Sequence, residues 1–142
     1  GVLGHVAGRR DRQRQVAFDD LDEIVIAVQL EGGGRHPGAL LARGHSLQRV
    51  FFLDDGTLTG MASAVTPQDE QAPLQQWVAL AESQQTELIL CISSALKRGL
   101  LDSVEATRHQ RPAATVHTAF ELGGLGLLLE SAQTADRLVT FG

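Results

Sequence analysis

The chain has 142 residues, with 12 basic and 17 acidic side chains and a net charge of −5. That length suffices for one domain with its own core, and the negative balance argues against strong non-specific nucleic-acid binding, which needs clustered Lys and Arg. A single cysteine excludes an intrachain disulfide and a multi-cysteine zinc site, and no apolar run approaches the roughly 20 residues that span a bilayer.

Five Phe, one Trp and no Tyr leave the core to Leu, Val, Ile and Ala. The opening Gly1-Val2-Leu3-Gly4-His5 is too short, and too polar downstream, for a signal peptide. Residues 1–20 read as a tail. Arg9, Arg10, Arg12 and Arg14 form a basic cluster, followed by Asp19, Asp20, Asp22 and Glu23. Such charge runs are solvated, and no aromatic interleaves the arginines as in a nucleic-acid arm. The folded domain is placed at 21–142.

Glu23 to Leu30 reads as the first strand, with Ile24, Val25, Ile26 and Val28 β-branched. Gly32-Gly33-Gly34 follows. A glycine loop after a strand can cradle phosphate, but this one lacks the lysine, hydroxyl and spacing of a P-loop and reads as a plain loop. Ala39-Leu40-Leu41-Ala42-Arg43 is a brief helical turn ended by Gly44. Leu47 to Leu53 is the second strand, broken by Asp54-Asp55-Gly56. Gly56 to Val65 is small, polar and irregular, a candidate border for a ligand crevice.

Thr66-Pro67-Gln68-Asp69 has the form of a helix start, which Pro73 either restarts or kinks. Leu74, Trp77, Val78 and Ala81 then share one apolar face, with Trp77 in the core. Leu88, Ile89 and Leu90 run without a polar break, as a strand covered on both faces does. After Cys91 a short helix carries Lys97 and Arg98 in its last turn, where cations suit the dipole. Gly99 closes it in the left-handed conformation.

Asp102-Ser103-Val104-Glu105 is a capping-box pattern that opens a helix to about His109. Arg111-Pro112-Ala113-Ala114 is a connector. Phe120 to Gly126 leads into Leu127-Leu128-Leu129-Glu130-Ser131-Ala132, a largely buried helix whose glycines permit close backbone approach. Asp136 to Phe141 is the closing strand. Strands alternating with helices imply an α/β class: a single-domain three-layer α/β/α sandwich with a mainly parallel sheet.

Cys91 is the candidate site. It stands at the carboxyl end of a strand, where open α/β sheets place ligands. Two readings stay open from the residues alone. A lone cysteine between Leu90 and Ile92 is commonly a small core hydrophobe. At a helix N-terminus its thiolate is favoured over the thiol. None of His5, His36, His45, His109 and His117 pairs at metal-ligand spacing with another histidine or with Cys91, so no metal is expected. Each histidine reads as an exposed polar residue, and a Cys91–His117 pair could form only through the fold. There is no nucleophile-elbow motif.

From Ala39 to Gly142 the chain resembles the DsrE/TusD family of sulfurtransferase subunits. The matching pieces run in order. They are Ala39-Leu40-Leu41-Ala42-Arg43-Gly44-His45, Arg49-Val50-Phe51-Phe52, Asp55-Gly56, Thr66-Pro67, and Trp77 with Ala81-Glu82. Cys91-Ile92-Ser93-Ser94-Ala95-Leu96-Lys97-Arg98-Gly99, Gly124-Leu125-Gly126, Glu130 and Ala135-Asp136-Arg137-Leu138-Val139 complete the set. The resemblance implies a DsrE/F-like fold and a cytoplasmic relay in which the family's cysteine, here Cys91, accepts sulfane sulfur as a persulfide and hands it on. It implies sister subunits of a heterohexamer (TusB/TusC-like or DsrF/DsrH-like), upstream and downstream sulfur-carrier proteins, and no cofactor. In the TusD branch the relay serves tRNA 2-thiouridine; in the DsrE branch, sulfur oxidation.

Two departures stand out. The family often has Ser where Gly123 stands. Its first strand also leads into a full helix, whereas here the glycine loop nearly abuts Ala39, so about two turns are absent. That predicts a displaced reading frame or altered start upstream of about Ala39. The competing reading is a scaffold subunit whose Cys91 is buried and inert. A nucleotide-binding module using Gly32–Gly34 is the least supported reading. Neither direct nucleic-acid nor membrane contact is expected.

Overall fold

The structure is a computed structural model that describes residues 4–8, 23–28, 46–70 and 72–141. The glycine loop, the Ala39–Arg43 turn and the junction before Ala39 lie outside the described residues.

The strands are β1 (Gly4–Gly8), β2 (Glu23–Val28), β3 (Ser46–Phe52), β4 (Glu87–Cys91), β5 (Phe120–Gly123) and β6 (Arg137–Phe141). Among the described residues they form one sheet in the order β1-β6-β2-β3-β4-β5. All neighbours from β6 to β5 pair in parallel, as the strand–helix alternation predicts, and β1 alone runs antiparallel. Within the stretch read as a tail, Gly4–Gly8 therefore differs from expectation. Gly4 lies opposite Phe141 and Gly8 opposite Arg137. Backbone hydrogen bonds recruit an edge strand without an apolar pattern to announce it.

The helices are α1 (Pro73–Gln84), α2 (Ile92–Lys97), α3 (Ser103–Arg108) and α4 (Leu125–Thr134), with a 3₁₀ helix at Asp54–Gly60 after β3. Two apolar layers follow from the two-residue period of the strands. Val50, Phe52, Leu88 and Leu90 face one side, packed with Trp77, Phe120, Leu74 and Val78. Phe51 and Ile89 face the other, against Leu127 and Leu128 of α4. Helices thus cover both faces of the sheet, and the chain is the expected three-layer sandwich. Phe52 meets Trp77 edge-on at 5.3 Å between ring centroids and Phe120 at 5.6 Å. Such contacts contribute about 0.5–1.5 kcal/mol each beyond their burial.

Several local expectations change. No helix starts at Thr66; Pro67 accepts from Glu70 N in a turn, and α1 begins with Pro73 at its first positions. Pro73 lacks the N–H and its ring would strike the carbonyl four residues back, so a helix from Pro67 cannot run through it. The Gly56–Val65 stretch borders a cavity as the sequence predicts, through Leu58, Thr59, Met61, Ala62, Ala64 and Val65, although Gly56, Thr57, Thr59 and Gly60 are themselves buried in the 3₁₀ helix. The reason is close packing: a Cβ on Gly60 would lie 2.8 Å from Leu90 Cδ1.

Strand β5 was not anticipated. It is four residues long, ends in glycine, and is held by pairing with β4 from Leu88–Phe120 to Cys91–Gly123. The final helix is amphipathic rather than largely buried, because only one side meets the sheet. Leu125 is 53% and Leu129 64% exposed. A Cβ on Gly124 or Gly126 would meet open space, so close approach is confined to Gly123.

Among the described residues no helix is long and apolar enough to cross a membrane.

Candidate functional site

The buried run Leu88-Ile89-Leu90 carries β4 through the centre of the sandwich and delivers Cys91 at its carboxyl end. Cys91 is the last residue of β4 and the N-cap of α2, as the sequence predicts. Gly99 ends the following turn at φ 76°, a left-handed conformation that glycine adopts without a Cβ penalty.

The thiol is closely covered, at 4% exposure, although it lies near the molecular surface. Burial alone would push its pKa up. The Ser93 hydroxyl opposes that effect first, followed by the backbone and side chain of Ser94 and the backbone of Ser93. The donors prevail, and the thiol ionises below its ordinary value. Cys91 Sγ lies 3.4 Å from Ser93 Oγ. A six-residue helix has only a small macrodipole, so these individual donors are the main cause.

The turn is tied down from outside. Arg98 donates from Nη1 to the Ser94 carbonyl at 3.0 Å, and its Nε reaches Asp55 Oδ1 at 3.0 Å. The helix dipole therefore accounts for Lys97, which lies in the last turn, whereas Arg98 is occupied by specific contacts. On β5, Gly123 is the residue opposite Cys91. A side chain there would crowd Ile89, because a Cβ on Gly123 comes 2.8 Å from Ile89 Cγ2.

His36 and His45 lie outside the described residues, and neither His109 nor His117 is brought to the thiol by a described contact. His117 accepts from Ala119 N at its Nδ1, 3.0 Å away, and packs edge-on to Phe120. It is half-buried rather than exposed, because the Met61–Val116 bridge and the bond from His117 N to the Gly60 carbonyl draw its segment inward. It lines a cavity of about 200 Å³ with Leu58, Met61 and Leu74, a cavity that Cys91 does not line. His109 is exposed and sits 3.2 Å from Glu105 on α3. Among the described residues no group of three His, Cys, Asp or Glu could hold a metal ion.

Sequence reasoning singled out Cys91 but not Ser93 and Ser94, which hydrogen-bond to it, or Asp55, which ties its turn through Arg98. The signal for the serines was present in the Cys-x-Ser-Ser spacing, since residues two and three beyond a cap face its side chain. Asp55 carried no such signal, because its partner is 43 residues away.

A thiol of lowered pKa at a strand end has the chemistry a nucleophile needs. The DsrE/DsrF-like family model matches residues 37–141. The sulfurtransferase TusD homolog of Pseudomonas aeruginosa is 44% identical over 108 residues, covering 76% of this chain and 82% of that protein. Sulfurtransferase TusD of Serratia proteamaculans is 43% identical over 103 residues, covering 72% and 80%. The crystal structure of the ychN protein from E. coli matches with a TM-score of 0.60 over 84% of this chain and 99% of that one. At 21% identity that likeness establishes the fold. The family match takes in the whole Cys91 turn and its Asp55–Arg98 tie, and the chain belongs to the DsrE/DsrF-like family.

Proposed function

We propose that this chain is a sulfurtransferase subunit that relays sulfane sulfur through Cys91, with residues 21–142 as the relay domain. The supporting observation is a thiol held below its ordinary pKa at the carboxyl end of β4, a buried interior strand. Thiolate fraction, nucleophilicity and access govern sulfur exchange. Cys91 thiolate attacks the outer sulfur of a donor persulfide. A bond forms between Sγ and that sulfur, the donor S–S bond breaks, and its electron pair leaves on the donor thiolate. An acceptor thiolate then attacks the outer sulfur of the Cys91 persulfide and releases Cys91 as thiolate. Each step is redox-neutral and balances without a metal or organic cofactor.

Upstream and downstream carriers would be thiol proteins, and two sister subunits, TusB/TusC-like or DsrF/DsrH-like, would complete a heterohexamer. The relay needs Cys91 back as a free thiol after each turnover rather than locked in a disulfide, which favours a reducing compartment such as the cytoplasm. The relay ends in tRNA 2-thiouridine on the TusD reading or in sulfur oxidation on the DsrE reading. Either way the net charge of −5 assigns RNA contact to a later component.

Mass spectrometry after incubation with a persulfide donor tests this reading: Cys91 should gain one sulfur atom, and an unloaded Cys91 would refute it. The near-complete cover of Cys91 favours a second reading, a scaffold subunit with an inert cysteine. Iodoacetamide separates the two, because an inert thiol labels only after unfolding.

A further inference from the structure

We infer that the Ser93 hydroxyl is a positioning residue for the sulfur-carrying thiol, holding Cys91 Sγ as a thiolate by donating to it. This inference rests on Cys91 being the relay cysteine.

Ser93 Oγ lies 3.4 Å from Cys91 Sγ, within reach of an O–H···S bond. A hydroxyl can orient its proton either way, so it is the Sγ charge that decides the direction. With Cys91 ionised, sulfur is acceptor only, and Ser93 must be the donor. Ser93 itself is exposed and has no packing role that would explain its place. Its position is nevertheless constrained. It lies in the first turn of α2, and that helix is tied at Ser94 O to the Arg98 guanidinium, which is tied in turn to Asp55. The tie joins α2 to the 3₁₀ helix after β3, so the hydroxyl is presented by a braced turn. A donor held in place before ionisation stabilises charge without reorganisation.

The consequence reaches both halves of the relay. Cys91 is the attacking thiolate during loading and the leaving thiolate during unloading. A donor that favours the thiolate raises the reactive fraction in the first step and eases departure in the second. Ser94 contributes through its backbone as well as its hydroxyl, so removing Ser93 should weaken the effect without abolishing it.

The test is a thiolate absorbance titration of the full chain, with Cys91→Ser as the blank; because Cys91 is the only cysteine, the difference signal belongs to one group. Ser93→Ala should move the midpoint to higher pH, and Ser93→Thr, which keeps the hydroxyl, should restore it. Loading from a persulfide donor at neutral pH should slow by about threefold to tenfold in Ser93→Ala, the scale expected when one of several hydrogen bonds to a charged group is lost. At pH values above both midpoints the deficit should vanish, and the more basic thiolate of Ser93→Ala should load at least as fast as wild type, which a mere change of shape would not produce. Superimposable titrations of wild type and Ser93→Ala would overturn the inference. So would a loading defect that persists at high pH. If wild type fails to load at all, the relay reading falls, while the titration still decides whether Ser93 stabilises the thiolate.

Discussion

Arg98 grips one oxygen of Asp55 with two nitrogens, Nε and Nη2, each 3.0 Å from Oδ1. The same guanidinium reaches the Ser94 carbonyl with Nη1. One side chain therefore spans the 3₁₀ helix that follows β3 and the helix that follows Cys91. Both partners of the pair are partly solvated. An ion pair of that kind contributes little to stability, so its weight falls on geometry.

Arg98→Ala is expected to cost less than about 1 kcal/mol of unfolding free energy. Its effect on sulfur loading should be larger, about tenfold, because a small misplacement of a nucleophile is expensive. Arg98→Lys should rescue poorly, since one ammonium does not reproduce the guanidinium fork that serves Asp55 and Ser94 together. Urea unfolding alongside a loading assay checks this; parallel losses in both would contradict the positioning role.

Cys91→Ser should keep the fold and lose the sulfur. Cys91 occupies the N-cap of α2, a position at which serine is favoured. The swap is nearly isosteric, so stability should stay within about 1 kcal/mol of wild type. Mass spectrometry after exposure to a persulfide donor should show no added sulfur. A Ser variant that still acquires and passes on a sulfur atom would remove Cys91 from the mechanism.

The pH dependence follows from the direction of the Cys91 shift. Burial raises the thiol pKa, the Ser93 and Ser94 bonds lower it, and the net value lies below the ordinary 9.0. Loading should therefore reach half its maximal rate below pH 9.0, and a urea-unfolded control should ionise at higher pH. Because the native chain holds this proton more weakly than the unfolded chain, ionisation adds stability that is complete above pH 9.0. That stability is lost as pH falls through the native value. The stability of wild type relative to Cys91→Ser should rise across that alkaline window; a difference independent of pH would contradict it.

Gly123→Ser should destabilise the chain. The added Cβ would come 2.8 Å from Ile89 Cγ2, a branch fixed close to the β4 backbone. Overpacking of this kind costs about 1–3 kcal/mol. Ile89→Ala removes the clashing methyl but opens a cavity, for about 2–5 kcal/mol on its own. The double variant should be less destabilised than the sum of the two, by at least about 0.5 kcal/mol in a urea-based cycle. Strict additivity would show that the neighbours relax freely.

Much of the framework was legible without coordinates. Leu88-Ile89-Leu90 announces a strand covered on both faces, and Cys91 follows it directly. The capping-box pattern predicts Asp102 as a cap, and its carboxylate accepts from Glu105 N at 2.8 Å. Gly99, which the sequence predicts as a left-handed stop, has φ 76°. These features are local: a period, a cap and a stop each depend on residues within a few positions of one another.

What the sequence determined by itself was therefore the α/β alternation, the position of the single thiol and the limits of its turn. Tertiary structure alone decided the rest. Gly4–Gly8 became an edge strand, and Phe120–Gly123 became β5, through pairing with distant strands. Asp55 met Arg98 across 43 residues. The ionisation of Cys91 depended on how burial balanced against the serine donors. Pairing, burial and charge are properties of neighbours in space, and only closure of the sheet makes residues this far apart in the chain into neighbours.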